Sequence, residues 1–116
     1  MLFVCYPKCT TCQKARAWLD DKAIAYDFRD IKEQNPTLAE LKEWHAKSGL
    51  PLRKFFNTSG LKYKELNLSS RLAEIPEDDQ FHLLASDGML VKRPIIVDEE
   101  FVLVGFKPED WVKRLL

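Results

Sequence analysis

The pair Cys9-Thr-Thr-Cys12 falls where a short apolar run hands over to a helical pattern, and that placement constrains the fold more than any other feature. Leu2-Phe-Val-Cys-Tyr6, ended by Pro7, reads as a buried strand. Thr10 stands three residues before Gln13, a capping-box spacing that predicts a helix start with Thr10 as its cap. Cys12, Ala15 and Leu19 then recur at helical spacing with Trp18 beside them, and Asp20-Asp-Lys22 ends the pattern. Ala25-Tyr-Asp-Phe-Arg29 alternates weakly and reads as a second strand, parallel to the first if the helix is its crossover. Residues 1–30 therefore form one β-α-β unit.

The remainder reads as helices followed by a hairpin. Thr37 and Glu40 make a capping box for a helix carrying Leu38, Leu41 and Trp44, with its stop near Gly49. A shorter helical stretch covers Leu52 to Phe56, and Asn57-Thr-Ser-Gly60 is a loop. Segment 61–75 is ambiguous, with Leu61, Leu66, Leu68, Leu72 and Ile75 expected inside. Pro76 before Glu77, Asp78 and Asp79 marks a helix N-terminus, and that helix buries Phe81, Leu84 and Ala85 before Asp87-Gly88. Ile95-Ile-Val97 and Phe101-Val-Leu-Val104 predict an antiparallel hairpin. A last helix from Lys107-Pro108 carries Trp111, Val112 and Leu115. This order predicts an α/β fold with one four-stranded mixed sheet, in a single domain over 1–116.

Composition narrows the function classes. Lys plus Arg is 18 and Asp plus Glu is 18, so no bulk charge draws the chain to nucleic acid or an anionic membrane. No apolar run approaches the roughly 18 residues of a membrane helix. The start lacks the basic region of a signal peptide, so a cytoplasmic location is expected. There, three cysteines are not a disulfide scaffold, and a close pair points to redox or metal chemistry. Nothing in the pattern demands more than a monomer.

Cysteines three apart at a helix start are neighbours that need modest adjustment to reach disulfide geometry. Unpaired N–H groups at the helix N-terminus favour a thiolate at Cys9, and Lys8 adds a positive neighbour. Cys9 is thus the candidate nucleophile and Cys12 the resolving thiol. A structural zinc needs four ligands, and no second C-x-x-C or paired-histidine spacing accompanies this one; His45 and His82 are isolated, and no metal is expected. Cys5, inside the first strand, is most simply a small buried hydrophobe. Lys92-Arg93-Pro94 enters the third strand, where Pro94 is a candidate cis residue. If that turn meets the Cys9 loop, Arg93 would stabilise a thiolate and hold an oxyanion.

Together, Cys9-Thr-Thr-Cys12, Leu90-Val-Lys-Arg-Pro94-Ile-Ile-Val97 and Val104-Gly-Phe106 resemble the arsenate reductase family of the thioredoxin superfamily over essentially the whole chain. The similarity is closest to the branch that keeps a C-x-x-C pair, which includes the Spx-type regulators and uncharacterised arsenate reductase-like proteins. The resemblance implies a glutaredoxin-like four-stranded sheet with a helical insertion at about 35–88. It implies Cys9 as nucleophile, Arg93 as the oxyanion-binding arginine and Pro94 as the cis-proline. It implies no bound cofactor, with glutathione and glutaredoxin, or thioredoxin, as electron donor. The substrate would be a small oxyanion or a disulfide. The Spx-type likeness implies instead a redox-sensing regulator that binds the C-terminal domain of the RNA polymerase α subunit, without direct contact to nucleic acid. On that reading Arg53, Lys54, Lys62 and Lys64 make the comparable surface mildly basic. Two departures disfavour arsenate. Asn57 falls where the reductases carry a further arginine, with Lys107 only loosely matching a third basic residue, and Cys12 permits an internal disulfide.

Overall fold

The computed structural model describes residues 1–116. Four strands, β1 (Leu2–Cys5), β2 (Asp27–Asp30), β3 (Ile95–Val97) and β4 (Val102–Val104), form one sheet in the order β2-β1-β3-β4. β1 runs parallel to β2 and antiparallel to β3, and β3 pairs antiparallel with β4, so the sheet is mixed as the sequence predicts. Helix α1 (Thr10–Asp21) is the crossover between β1 and β2. Helices α2 (Leu38–Ser48), α3 (Leu61–Glu65), α4 (Leu68–Arg71) and α5 (Glu77–Ser86) form the insertion, together with 3-10 turns at Leu52–Phe55, Leu72–Glu74 and Gly88–Leu90. Helix α6 (Pro108–Leu115) closes the chain.

The sheet is covered on both faces, which is why its central strands are apolar at every position rather than alternating with polar residues. Successive side chains on a strand point to opposite faces. Val4 and Ile95 therefore pack with Leu41, Trp44, Phe55, Phe56, Phe81 and Leu84 of the insertion. Phe3, Cys5 and Ile96 face the other way, against Cys12, Ala15 and Leu19 of α1 and Trp111 of α6. The insertion is tied back beside β3 by one antiparallel bridge, made of two backbone hydrogen bonds. Phe56 bridges Val91: Asn57 N donates to Leu90 O at 2.8 Å, and Lys92 N donates to Phe55 O at 2.7 Å.

Several local expectations need correction. Thr10 is not the cap of α1: Cys9 takes that position, and Gln13 instead donates its side-chain amide to Pro7 O at 3.0 Å. The capping box at Thr37 and Glu40, by contrast, forms with both bonds present. β2 begins at Asp27 rather than Ala25, because Asp27 N donates to Met1 O and Leu2 pairs with Asp27. Leu61 is exposed. A helix as short as α3 buries one side, Tyr63 occupies it, and positions two apart face away from each other. Val112 is exposed for a related reason, since Trp111 holds the buried stripe of α6. Ala85, Leu66 and Ile75 are only partly buried.

Candidate redox site

The cysteine turn grows directly out of β1. Pro7 and Lys8 follow the strand, and Cys9 N donates back to Tyr6 O at 2.9 Å, closing a tight turn. Cys9 then adopts the extended conformation of a helix cap (φ −81°, ψ 125°), while its carbonyl accepts from Gln13 N at 3.0 Å. Its side chain makes no capping hydrogen bond, so the thiol is left at the rim, half-buried. Cys12 lies in the first turn of α1 with its side chain fully buried. The Tyr6 amide donates to Cys12 Sγ at 3.4 Å and anchors it behind the turn.

All three cysteines are free thiols, and they form a chain in space. Cys5 and Cys12 pack in one buried cluster between β1 and α1, and Cys9 packs against its edge. The Cys5 contact, followed by burial, pushes the Cys12 thiol well above its ordinary range; the Tyr6 amide pulls weakly the other way. The site therefore presents one accessible sulfur and holds a second, protonated sulfur directly behind it. Such an arrangement can capture an electrophile at Cys9 and then exchange internally.

The Arg93–Pro94 peptide is cis, and Pro94 is buried. The Arg93 guanidinium lies over the Tyr6 ring, 5.5 Å from its centroid, so it reaches the cysteine turn through the residue that holds both cysteines. Arg93 Nη1 makes only a long bond to Met89 O (3.5 Å), and Nε is buried without a partner. An unsatisfied buried guanidinium N–H is costly, and an anion would relieve it. Arg93 also lines a cavity of ≈ 490 Å³ together with Asn57, Ser59, Gly60, Asp87 and Met89; the cysteines do not line it.

Other residues singled out in the sequence sit apart from this cluster. Lys8 is exposed and takes part in no salt bridge. Lys107 lines a separate cavity between β4 and α6, away from Arg93. Arg53 and Lys54 are exposed and flank a third, beside Tyr63 and Leu72. Asn57 does face the Arg93 cavity, but it is buried and spent on the fold. Its Oδ1 accepts from Ser59 Oγ at 3.3 Å and its Nδ2 reaches Met89 O at 3.5 Å. His45 packs edge-on between Phe55 and Phe81, and His82 is exposed beside Asp78. Two members of the site escaped the sequence reading. Tyr6 carried no signal. Cys5 did, because alternation along β1 puts it on the face of Phe3, the face that the Cys12 stripe of α1 must cover.

Comparison with known proteins agrees with this architecture. The family model described as the ArsC family matches residues 5–114. The uncharacterized protein YusI of Bacillus subtilis is 52% identical over 111 residues, covering 96% of this chain and 94% of YusI. The global transcriptional regulator Spx of Listeria innocua is 34% identical over 110 residues, 95% of this chain and 82% of Spx. Among solved structures, an ArsC family related protein from Bacteroides fragilis superposes with a TM-score of 0.95 at 59% identity, covering 97% of this chain and 94% of that one. An arsenate reductase from Vibrio cholerae superposes with a TM-score of 0.84 at 30% identity, covering 99% and 98%.

Proposed function

The chain belongs to the ArsC family, with its thioredoxin-like fold, and from that premise we propose that it is a thiol-dependent oxidoreductase acting through Cys9 and Cys12. The observation that carries this reading is the accessible Cys9 thiol at the cap of α1 with the buried, protonated Cys12 thiol in contact behind it. The Cys9 thiolate attacks one sulfur of a disulfide, forming a mixed disulfide and expelling the other sulfur as a thiolate. Cys12 then attacks Cys9 Sγ, its proton passes to the departing thiolate, and a Cys9–Cys12 disulfide remains. A thiol donor, glutathione with glutaredoxin or thioredoxin, returns both cysteines to thiols. Arg93, with its unpaired Nε, holds the anionic part of the substrate or the thiolate; Lys8 contributes only long-range positive charge.

A disulfide substrate fits this site better than arsenate. Asn57, which lines the same cavity as Arg93, supplies no positive charge and its amide is engaged with Ser59 and Met89. One charge-assisted contact to an oxyanion is worth about 1.5–3 kcal/mol, which is the order of the deficit for arsenate. Turnover of a glutathione or protein disulfide tests the proposal. Cys9→Ser abolishes it, and Cys12→Ser accumulates a mixed disulfide on Cys9. Wild-type turnover in both variants overturns the reading.

The second reading is a redox-sensing regulator of the Spx type. It is supported by the relationship to Spx and by the exposure of Arg53, Lys54, Lys62 and Lys64 along one stretch of the insertion. Recovery of the RNA polymerase α C-terminal domain by oxidised and by reduced protein separates the two. Equal recovery in both states, or none in either, removes the switch.

A further inference from the structure

We propose that Cys5 is a third redox-active thiol, which displaces Cys9 from Cys12 by exchange and stores the disulfide beneath the surface as Cys5–Cys12. The inference rests on the reading above, in which a Cys9–Cys12 disulfide forms. Its own basis is the packing. Cys5 is 1% exposed and Cys12 is fully buried, both in the cluster between the sheet and helices α1 and α6. No substrate reaches Cys5 there. Cys5 lies on the face of β1 that α1 covers with Cys12, so the two side chains share one buried cluster; Cys9 packs against its edge, and the Tyr6 amide holds Cys12 Sγ at 3.4 Å. Cys12 is thus flanked by two sulfurs, one at the surface and one inside, and either can be its disulfide partner.

The exchange balances without any added oxidant. Cys5 gives up its proton and its sulfur attacks Cys12 Sγ; a Cys5–Cys12 bond forms while the Cys9–Cys12 bond breaks. The bond's electron pair leaves on Cys9 Sγ, which takes up the proton. The chain carries one disulfide before and after. What changes is its position: the surface nucleophile is regenerated, and the oxidised pair lies where a bulky reductant cannot touch it directly.

Peptide mapping of the full chain after treatment with diamide tests this. The protein is acid-quenched and its free thiols are blocked with N-ethylmaleimide. Trypsin cuts after Lys8 and Lys14, so Cys5 lies on one peptide while Cys9 and Cys12 share the next. A Cys9–Cys12 disulfide stays within one peptide; a Cys5–Cys12 disulfide joins two, with Cys9 alkylated. The internal species is expected first, with the joined pair growing at its expense. Cys5→Ser loses the joined pair and keeps the internal disulfide. Cys9→Ser loses the joined pair too, because diamide cannot reach the buried thiols. If the internal disulfide forms and Cys5 remains alkylated throughout, the Cys5 proposal alone falls. A joined pair formed by Cys9→Ser as fast as by wild type removes the exchange route. If no disulfide of either kind appears, the Cys9–Cys12 reading falls with it.

Discussion

Ala23 ends helix α1 in the left-handed region with φ 56°, a conformation that crowds the Cβ of any residue but glycine. Relief of that strain should outweigh the added freedom of the unfolded chain, so Ala23→Gly is expected to stabilise the protein by about 0.5–1 kcal/mol. The shift in urea midpoint measures it. Gly88 lies at the opposite extreme. A methyl group there would run into Ile31 O and approach Asn35 Oδ1 at 2.8 Å, and backbone cannot swing aside as a flexible side chain can. Gly88→Ala is expected to cost about 3 kcal/mol or more, read from the same denaturation curve. The sequence marks Gly88 only as part of a helix stop and says nothing of Ala23. An alanine after a helix and a glycine after an aspartate are ordinary there, and their constraint comes from the neighbouring backbone.

At the scale of elements, the join between β2 and α2 rests on one ion pair. Arg29 donates from Nη1 to Glu40 Oε2 at 2.7 Å and from Nη2 to Glu40 Oε1 at 2.9 Å. It also donates to Gln34 O and Asn35 O, pinning the connecting loop. The Arg29 hydrogen bonds hold the Glu40 carboxyl below its ordinary range, with the Thr37 amide adding to the effect. A carboxyl depressed in the folded state contributes stability above its unfolded value of about 4.3, and loses it as pH falls through the folded value. Glu40→Gln is therefore expected to lower stability at neutral pH by about 1–2 kcal/mol, and its deficit should shrink on acidification. Urea unfolding at pH 7 and at several acidic values checks both halves. The sequence shows Glu40 as the partner of Thr37 in a capping box. Its second role, toward Arg29 on a strand eleven residues earlier, depends on where β2 docks.

At the scale of the molecule, the tryptophans divide between the two faces of the sheet. Trp44 belongs to the insertion side, and Trp18 and Trp111 to the side of α1 and α6. If the insertion and the sheet unfold as one cooperative unit, damage on one face is felt on the other. In a Trp44→Phe background, Phe55→Ala is expected to cost about 3–5 kcal/mol and to lower the urea midpoint reported by Trp18 and Trp111. An unchanged midpoint from those two would mean that the insertion melts separately.

The strand-helix-strand opening, the helices that follow it, the closing hairpin and the mixed sheet were all legible in the chain. Those follow from local periodicity, Pro and Gly punctuation and side-chain caps, which act over a few residues. The sequence by itself also pointed to Cys9 and Cys12, because their spacing and their place at a helix start are themselves local. Tertiary structure decided what stands around them: Tyr6 holding both cysteines, Arg93 stacked on Tyr6 with an unpaired N–H, Asn57 spent on its loop, and Cys5 against Cys12. Each of those contacts joins segments set by sheet order and helix docking, and no local pattern encodes them. The sulfur proposed to attack was therefore legible from the chain, whereas the sulfur beneath it became visible only when α1 was laid across β1.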